Sequence, residues 1–465
     1  MIKKTTSHSY EGKSLEEWLS YIESIHCQEI ELGLKRIGIV AKRLGVDLSF
    51  AKVVTVAGTN GKGTTCAFLE NALLANNLNV AVYSSPHIET FNERLRLNKI
   101  DVSDNRLIDA FVLIEQARDD ISLSYYEFTT LAAFIVLMQT KPDIIILEVG
   151  LGGRLDATNL IDANIAVLTT IDLDHQAFLG NTKELIGFEK EGIMREKQCI
   201  VVGDNHPPAS VINKAKSLNP LLNDYIQNVR LKNSQFFCSP LTKNKTHDHA
   251  NWQWQYKKDE HTLVVELSGL IEPHIPLDNV ATALMVLWEL SDAFKLTLSR
   301  EAVNLYIDNT RVAGRTELFS RTIKNIDTSQ YQLQCDVMLD VAHNPQAAKY
   351  LAGKMGDLLS QNKYKRINAV VGMLIDKDIS KTLSEMAEVI DNWYIAPANA
   401  PRAADIKTLQ SKLPTEIKSF NCFDNIPQAF KIANTESRCD ELLLVFGSFF
   451  TVAEVRKLLM SHKEQ

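Results

Sequence analysis

The sequence predicts an α/β protein of two domains, each built on an open, mostly parallel sheet. Three observations carry this prediction. Short β-branched and aliphatic runs alternate with helix-length segments of 3.6-residue periodicity. A glycine-rich turn lies between one such run and the helix after it. The alternation then lapses into a polar stretch and restarts after about residue 309. At 465 residues the chain exceeds what one hydrophobic core usually supports, so domains over 1–308 and 309–465 are expected.

Two amphipathic helices open the chain. Leu15, Trp18, Leu19 and Ile22 follow i, i+3, i+4, i+7 spacing, and Ile30, Leu34, Ile37, Ala41 and Leu44 repeat it. The run Lys52-Val-Val-Thr-Val-Ala57 reads as a strand, followed by a glycine turn and the helical TTCAFLENALLANN. Further runs at Val80–Tyr83, Ile144–Val149, Ile165–Thr169 and Ile200–Val202 imply a parallel sheet with crossover helices. From about 217 to 262 the chain is polar and irregular. There Trp252, Trp254 and Tyr256 alternate as one face of a strand, placed at a sheet edge, and His247 and His249 form an HxH with too few neighbours for a metal site. Beyond 309, strands at Val337–Val341, Ile367–Gly372, Trp393–Ala396 and Leu442–Phe446 alternate with helices beginning near Pro345, Ile379, Ala403 and Thr451, a second unit of open-sheet type.

Composition narrows the function classes. With 45% hydrophobic and 23% charged residues the chain is globular rather than disordered, and a net charge of −7 without a basic stripe argues against nucleic acid as a partner. The seven cysteines are scattered and never form a CxxC, which suits a reducing compartment. No apolar stretch follows the N-terminal lysines, and the longest, Leu131 to Met138, is far short of the roughly 20 residues that span a bilayer. A cytoplasmic monomer without membrane contact is the expectation.

The segment Ala57-Gly-Thr-Asn-Gly-Lys-Gly-Thr-Thr65 stands between strand and helix, where phosphate chemistry needs it. Glycines let backbone N–H groups close on phosphate oxygens, the helix N-terminus adds partial positive charge, and Lys62 reaches the β and γ phosphates. Thr64 or Thr65 can turn a hydroxyl toward Mg²⁺. Gly63 intervenes between lysine and hydroxyl, a departure from the usual phosphate-loop spacing. Acids at the carboxyl ends of buried parallel strands are where such sheets hold Mg²⁺, which selects Glu148 as first ligand. Ser85 is a strand-end hydroxyl, and His175, in Asp172-Leu-Asp-His175, can serve a second ion through neutral imidazole. Lys190, in Phe188-Glu-Lys-Glu-Gly192, reads as a surface lysine unless CO₂ converts it to a carbamate, whose oxygens would ligate metal rather than repel it.

The ordered series GTNGKGT, SSPH, EVGLGGRLDATN, DHQAFLG, EKEGI, AGRTE, LDVAHNPQAA and GSFFTVAEV resembles the folylpolyglutamate synthase and dihydrofolate synthase family of the Mur ligase superfamily. It runs from about Glu16 to Lys457, and its specificity lies in the order rather than in any one motif. The resemblance implies an N-terminal Mg-ATPase domain, a C-terminal Rossmann-like domain and an active site in the cleft between them. It also implies ATP and two Mg²⁺ ions as cofactors and admits a monovalent cation. By position, Thr59, Asn60, Gly61, Lys62, Gly63 and Thr64 look like the nucleotide loop, Ser85, Glu148 and His175 like metal ligands, and Lys190 like the superfamily's carbamylated lysine. Asn279 looks like the adenine contact, Arg315 and Asp340 like ATP contacts from the second domain, and His343 and Ser448 like neighbours of the glutamate site. Ser124, Tyr125, Tyr126 and Glu127 with Leu155, Asp156 and Ala157, together with the early segment Ile25–Arg36, are similar to the dihydropteroate site of bifunctional members. The alternative for Tyr125 and Tyr126 is a place among the core aromatics. Three departures stand out: Ala313 replaces the usual proline, Glu317 a glutamine, and Phe449 a tyrosine or histidine.

The implied activity is ATP-dependent addition of L-glutamate to dihydropteroate and to tetrahydrofolates through an acyl phosphate, with Lys62, Lys190, His175 and Arg315 in the catalytic roles. Arg315 acts only once the domains close, so closure is expected to gate turnover. A muramyl ligase would share the ATP machinery but calls for a uridine-binding domain ahead of a phosphate loop that here starts at residue 58. A nucleotide switch would need neither Lys190 nor the second domain.

Overall fold

A run of branched aliphatics can bury both faces only between helices, and the first sheet is built that way. The computed structural model describes residues 12–28, 31–219, 221–222, 225–226, 228–239, 242–243, 250–259, 261–322 and 332–460; Ile30, His247 and His249 lie outside them. The chain forms two compact units. The first comprises Met1–His87, Phe91–Leu173 and Leu179–Thr310; the second comprises Ile88–Thr90, Asp174–Phe178 and Arg311–Gln465.

In the first unit the eight-stranded sheet runs in the order Val229–Leu231, Cys199–Val202, Ile165–Leu168, Lys52–Ala57, Ile144–Glu148, Val80–Tyr83, Leu95–Leu97, Ile100–Asp101. The first six strands are parallel, and the last two are added through antiparallel pairings. Strand Ile144–Glu148 is buried at every position, as a central parallel strand requires. The helix Tyr125–Thr140 holds the longest apolar stretch, whose 3.6-residue winding lets it bury nearly all round. Ser124 and Glu127 start that helix with a reciprocal capping box, as Ser14 and Glu17 start the helix Leu15–Ser24. The second expected helix begins at Lys35 rather than at Ile30.

Trp252, Trp254 and Tyr256 do lie on one buried face of a strand, Ala250–Lys257. That strand is not at an edge. It pairs with Phe236–Cys238 and Thr242–Lys243 on one side and with Leu263–Ile271 on the other. The partners escaped sequence reading because they are short or lack clean alternation.

The second unit's six-stranded sheet has the order Glu317–Phe319, Asp336–Asp340, Leu442–Phe446, Ile367–Val371, Asn392–Ile395, Phe420–Cys422, with only the first strand antiparallel. Alternate residues feed two cores: Met338, Ala369, Leu442 and Leu444 join one, and Val337, Leu339, Val370 and Leu443 the other. The helix expected near Ala403 runs Ile406–Ser411, started by Asp405. Among the described residues no helix is long and apolar enough to cross a membrane.

Phe134 is fully buried in the core formed by the first helices and the helix Tyr125–Thr140. Phe134→Ala should therefore cost about 3–5 kcal/mol. A urea titration followed by circular dichroism should show the transition moved to lower denaturant; an unmoved midpoint would contradict this packing.

Candidate active site

The phosphate loop leaves the strand Lys52–Ala57 and enters the helix Lys62–Ala75 through Gly61, which adopts a left-handed φ of 93°. A side chain at Gly58 would collide with Thr169 Oγ1, and one at Gly61 with the Asn279 amide. The turn is pinned from the neighbouring strand: Thr59 N–H donates to Thr170 O at 2.6 Å, and the Thr169 and Thr170 hydroxyls donate to Asn60 O at 2.8 and 3.1 Å. On the other side Asn279 Nδ2 donates to Thr64 Oγ1 at 2.8 Å, and that hydroxyl donates to Gly61 O at 3.1 Å. Asn279 is thus a clamp on the loop, and Thr64 already has two partners.

Two lysines meet the loop at the same atom. Lys62 Nζ donates to Gly58 O at 3.1 Å and Thr59 O at 3.2 Å, while Lys190 Nζ donates to Gly58 O at 2.8 Å. Lys190 is 4% exposed, so it is no surface lysine. Its helix, Lys183–Glu191, presses its last turn on Gly153, where a Cβ would lie 3.1 Å from Lys190 Cα. Glu148, at the end of its strand, is buried beside the loop helix: a Cβ at Gly63 would lie 3.5 Å from its Oε2. Tyr83 pairs with Leu147 across the adjacent parallel strands, so Ser85 and Glu148 follow neighbouring strand ends. Carboxylate, hydroxyl and carbonyl oxygens are the hard donors that Mg²⁺ and Mn²⁺ prefer.

Beside these lies an aromatic wall. Tyr83 and Tyr126 stack at 6.2 Å, and Phe91 meets Tyr125 edge-on at 6.2 Å. Burial raises all three phenols, Tyr125 to about 12, which keeps them protonated as donors. The Tyr126 hydroxyl is buried without a hydrogen bond, against Gly150. Ser124 and Glu127 serve the helix cap, and Glu127 also accepts from Arg36 at 3.2 Å. Asp156 accepts from Leu151 N–H at 2.9 Å and from the Thr158 N–H and hydroxyl at 3.0 and 2.7 Å, while burial still pushes its carboxyl up. Leu155 O accepts from Gly33 N–H at 3.3 Å, and Ala157 opens the short 3₁₀ turn that Asp156 caps. His87 is driven down to about 4 by burial and by the Arg94 charge, so it is neutral.

In the second unit His175 has φ 48° and a side chain 35% exposed. The preceding Asp174 accepts from Lys377 Nζ at 2.7 Å and Asn344 Nδ2 at 3.4 Å, with His343 Nε2 at 3.7 Å. Burial raises the Asp174 carboxyl, but His343, Lys377 and His175 outweigh it and hold the group well below the usual carboxylate range. His343 Nδ1 donates to Val341 O at 2.8 Å, which fixes the ring. Asp340 accepts from Thr316 and Ala342 N–H at 2.9 and 2.8 Å; burial raises its carboxyl against the pull of Arg315. Arg315 lies 5.5 Å over the Phe449 ring. Ser448 Oγ accepts from Thr451 N–H at 3.0 Å and so caps its own helix.

A family model for the Mur ligase middle domain matches residues 56–269, and one for the Mur ligase glutamate ligase domain matches 326–449. A dihydrofolate synthase/folylpolyglutamate synthase of Escherichia coli is 38% identical over 464 residues, which is 99% of this chain and 98% of the relative. The chain belongs to the dihydrofolate synthase/folylpolyglutamate synthase family. Its fold agrees with E. coli FolC in complex with DHPP and ADP (TM-score 0.82, 39% identity, 96% of this chain and 98% of that one). The Yersinia pestis bifunctional folylpolyglutamate synthase/dihydrofolate synthase complexed with AMPPNP and Mn ion gives a TM-score of 0.81 at 39% identity, with 96% and 98% covered.

For this family member, Thr59 to Thr64, Lys190, Glu148 and Asn279 come together around one turn, and Arg315, Asp340, His343 and Ser448 around the strand ends of the second sheet. Sequence reading missed Thr169, a plain strand residue, and the Asp174–Lys377 pair, whose members are 203 positions apart. Two departures acquire a physical account: Glu317 accepts from Gly314 N–H at 2.8 Å and pairs with Arg456, and Phe449 supplies the face beneath Arg315.

Gly61→Ala should weaken Mg-ATP binding at least about tenfold, because both its φ and the Asn279 amide oppose a methyl group. Calorimetric titration, with circular dichroism to verify the fold, checks this; wild-type affinity would rule out the tight turn.

Proposed function

We propose that this chain is an ATP-dependent ligase that adds L-glutamate to 7,8-dihydropteroate, forming dihydrofolate, and to tetrahydrofolates, extending their glutamate chains. The observation that carries the reading is the meeting of Lys62 and Lys190 on Gly58 O, with Glu148 beside the same loop. The full-length likeness to bifunctional relatives supports both acceptors.

A carboxylate resists attack by an amine because oxide is a prohibitive leaving group. Its oxygen first attacks the γ-phosphorus of ATP, forming an acyl phosphate as ADP leaves. The glutamate α-amine then attacks the acyl carbon, phosphate departs, and the amine loses a proton. Lys62 and the helix N-terminus bind the phosphates. Arg315, Asp340 and Asn279 orient the nucleotide, His343 and Ser448 border the glutamate, and the Tyr83–Tyr125–Tyr126 wall receives the flat pterin. Ser85 and Glu148 would hold one Mg²⁺ and His175 a second. Bound there, the ions neutralise charge on the transferring phosphoryl group. Two ammonium groups on one oxygen repel, and carbamylation of Lys190 replaces that repulsion with attraction. The seven free cysteines fit a cytoplasmic enzyme, which we take to act as a monomer.

Phosphate release from Mg-ATP should require L-glutamate plus an acceptor, and should occur with dihydropteroate and with a tetrahydrofolate. Release with the folate alone would reduce the activity to chain extension, and release without glutamate would favour a nucleotide switch. Lys62→Ala should lower kcat by about 100-fold or more. Glu148→Gln should weaken Mn²⁺ binding about tenfold, read by electron paramagnetic resonance; unchanged affinity would remove Glu148 from the metal set.

A further inference from the structure

Lys190 stands in the last turn of a helix only nine residues long, Lys183–Glu191. The final carbonyls of a helix have no partners inside it, so such an end frays unless something outside holds it. Here the segment from Gly153 to Asn159 does so. Arg154 N–H donates to Glu189 O at 2.7 Å, supplying the partner that this carbonyl lacks within its helix. The Arg154 Nη2 donates to Glu189 Oε1 at 2.8 Å, and the guanidinium carbon lies 5.4 Å from the Phe188 ring centre. A methyl group on Gly192 would sit 2.3 Å from Arg154 Cβ, so the arginine stem packs on the helix end as well.

Arg154 thus touches residues on both sides of Lys190, Phe188 and Glu189 before it and Gly192 after it. Asn159 Nδ2 completes the clasp by donating to Arg154 O at 3.0 Å and to Gly192 O at 3.1 Å. A guanidinium in this place also answers the negative end of the helix dipole. The Arg154 side chain is 42% exposed, so solvent screens its pair with Glu189 and the pair adds little to stability. What it fixes is geometry. Lys190 Nζ lies 2.8 Å from Gly58 O, and moving the last turn by about 1 Å would break that contact.

We propose that Arg154 is a positioning residue for the ligase reaction: it latches the last turn of the helix Lys183–Glu191 and so holds Lys190 against the phosphate loop. This rests on the functional reading above and deepens it. Lys190 acts at the loop; Arg154 acts only through Lys190.

The test uses the full-length enzyme with Arg154→Met, which keeps a packing stem and removes the planar fork, and with Arg154→Lys, which can still pair with Glu189. With Mg-ATP, L-glutamate and dihydropteroate, Arg154→Met should lower kcat about tenfold and leave the KM for ATP within about twofold of wild type. Arg154→Lys should recover part of the loss. Competitive acylation with acetic anhydride in CO₂-depleted buffer, read by peptide mass spectrometry, reports how firmly each lysine is held. Lys190 should react at least about fivefold faster in Arg154→Met, while Lys232, buried at 5% exposure but outside the latch, stays within about twofold. Unchanged protection of Lys190, an equal rise at Lys232, or a wild-type kcat would each overturn the proposal. Wild-type protein that releases no phosphate with glutamate and acceptor present would instead overturn the functional reading, and the acylation rates would still show whether Arg154 holds Lys190.

Discussion

Two lysine ammonium groups, of Lys62 and Lys190, converge on one carbonyl oxygen, that of Gly58, at 3.1 and 2.8 Å. Much of the first unit follows from keeping that oxygen where it is. Gly58 can have no side chain because Thr169 occupies the space, and Thr169 stands there because its own hydroxyl donates to the loop at Asn60. Gly61 must turn left-handed to start the helix, and Asn279 closes over the turn from a helix more than 200 positions away. The loop is therefore not a flexible glycine segment but a turn determined from three directions. Preorganised donors of this kind stabilise charge without reorganising at the moment of reaction.

The aromatic wall shows a different economy, in which the residues that start the helix also fix the rings it carries. Ser124 and Glu127 cap the helix that carries Tyr125 and Tyr126, and Asp156 caps the next turn. Removing any of these acids would alter ring placement as well as local charge, so loss of activity in such variants does not by itself show contact with substrate. Tyr126 differs, because its buried hydroxyl has no hydrogen-bond partner. Unanswered polar groups inside a protein carry a desolvation cost that a bound ligand can relieve.

How much of this was legible in the sequence depends on the distance over which each feature is encoded. The strand–turn–helix around Lys62, the acid at Glu148 and the parallel runs are local, and each appeared within a few residues of its expected place. Leu442–Phe446 coincides at both ends. The strand Ala250–Lys257 was readable from Trp252, Trp254 and Tyr256, but its central position was not, because pairing partners such as Phe236–Cys238 are too short to carry periodicity. Lys190 could be distinguished from a surface lysine only by its motif. Its burial depends on Gly58 and Gly153, both remote in sequence. Asp174 and Lys377 escaped for the same reason.

The second unit carries the same logic onto residues that depart from the family pattern. Arg315 needs a support and a restraint if its charge is to be directed rather than collapsed onto Asp340, which lies close enough to feel it. Phe449 supplies the support through its ring face. Glu317 supplies the restraint by accepting from Gly314 N–H and pairing with Arg456, which fixes the backbone one residue before Arg315. Asp340 in turn is occupied by the Thr316 and Ala342 N–H groups. A glutamine at 317 could make the first of these bonds but not a charge pair with Arg456, and a tyrosine at 449 would offer a similar face with an added hydroxyl. The departures are therefore compatible with the same placement of Arg315, reached through different partners.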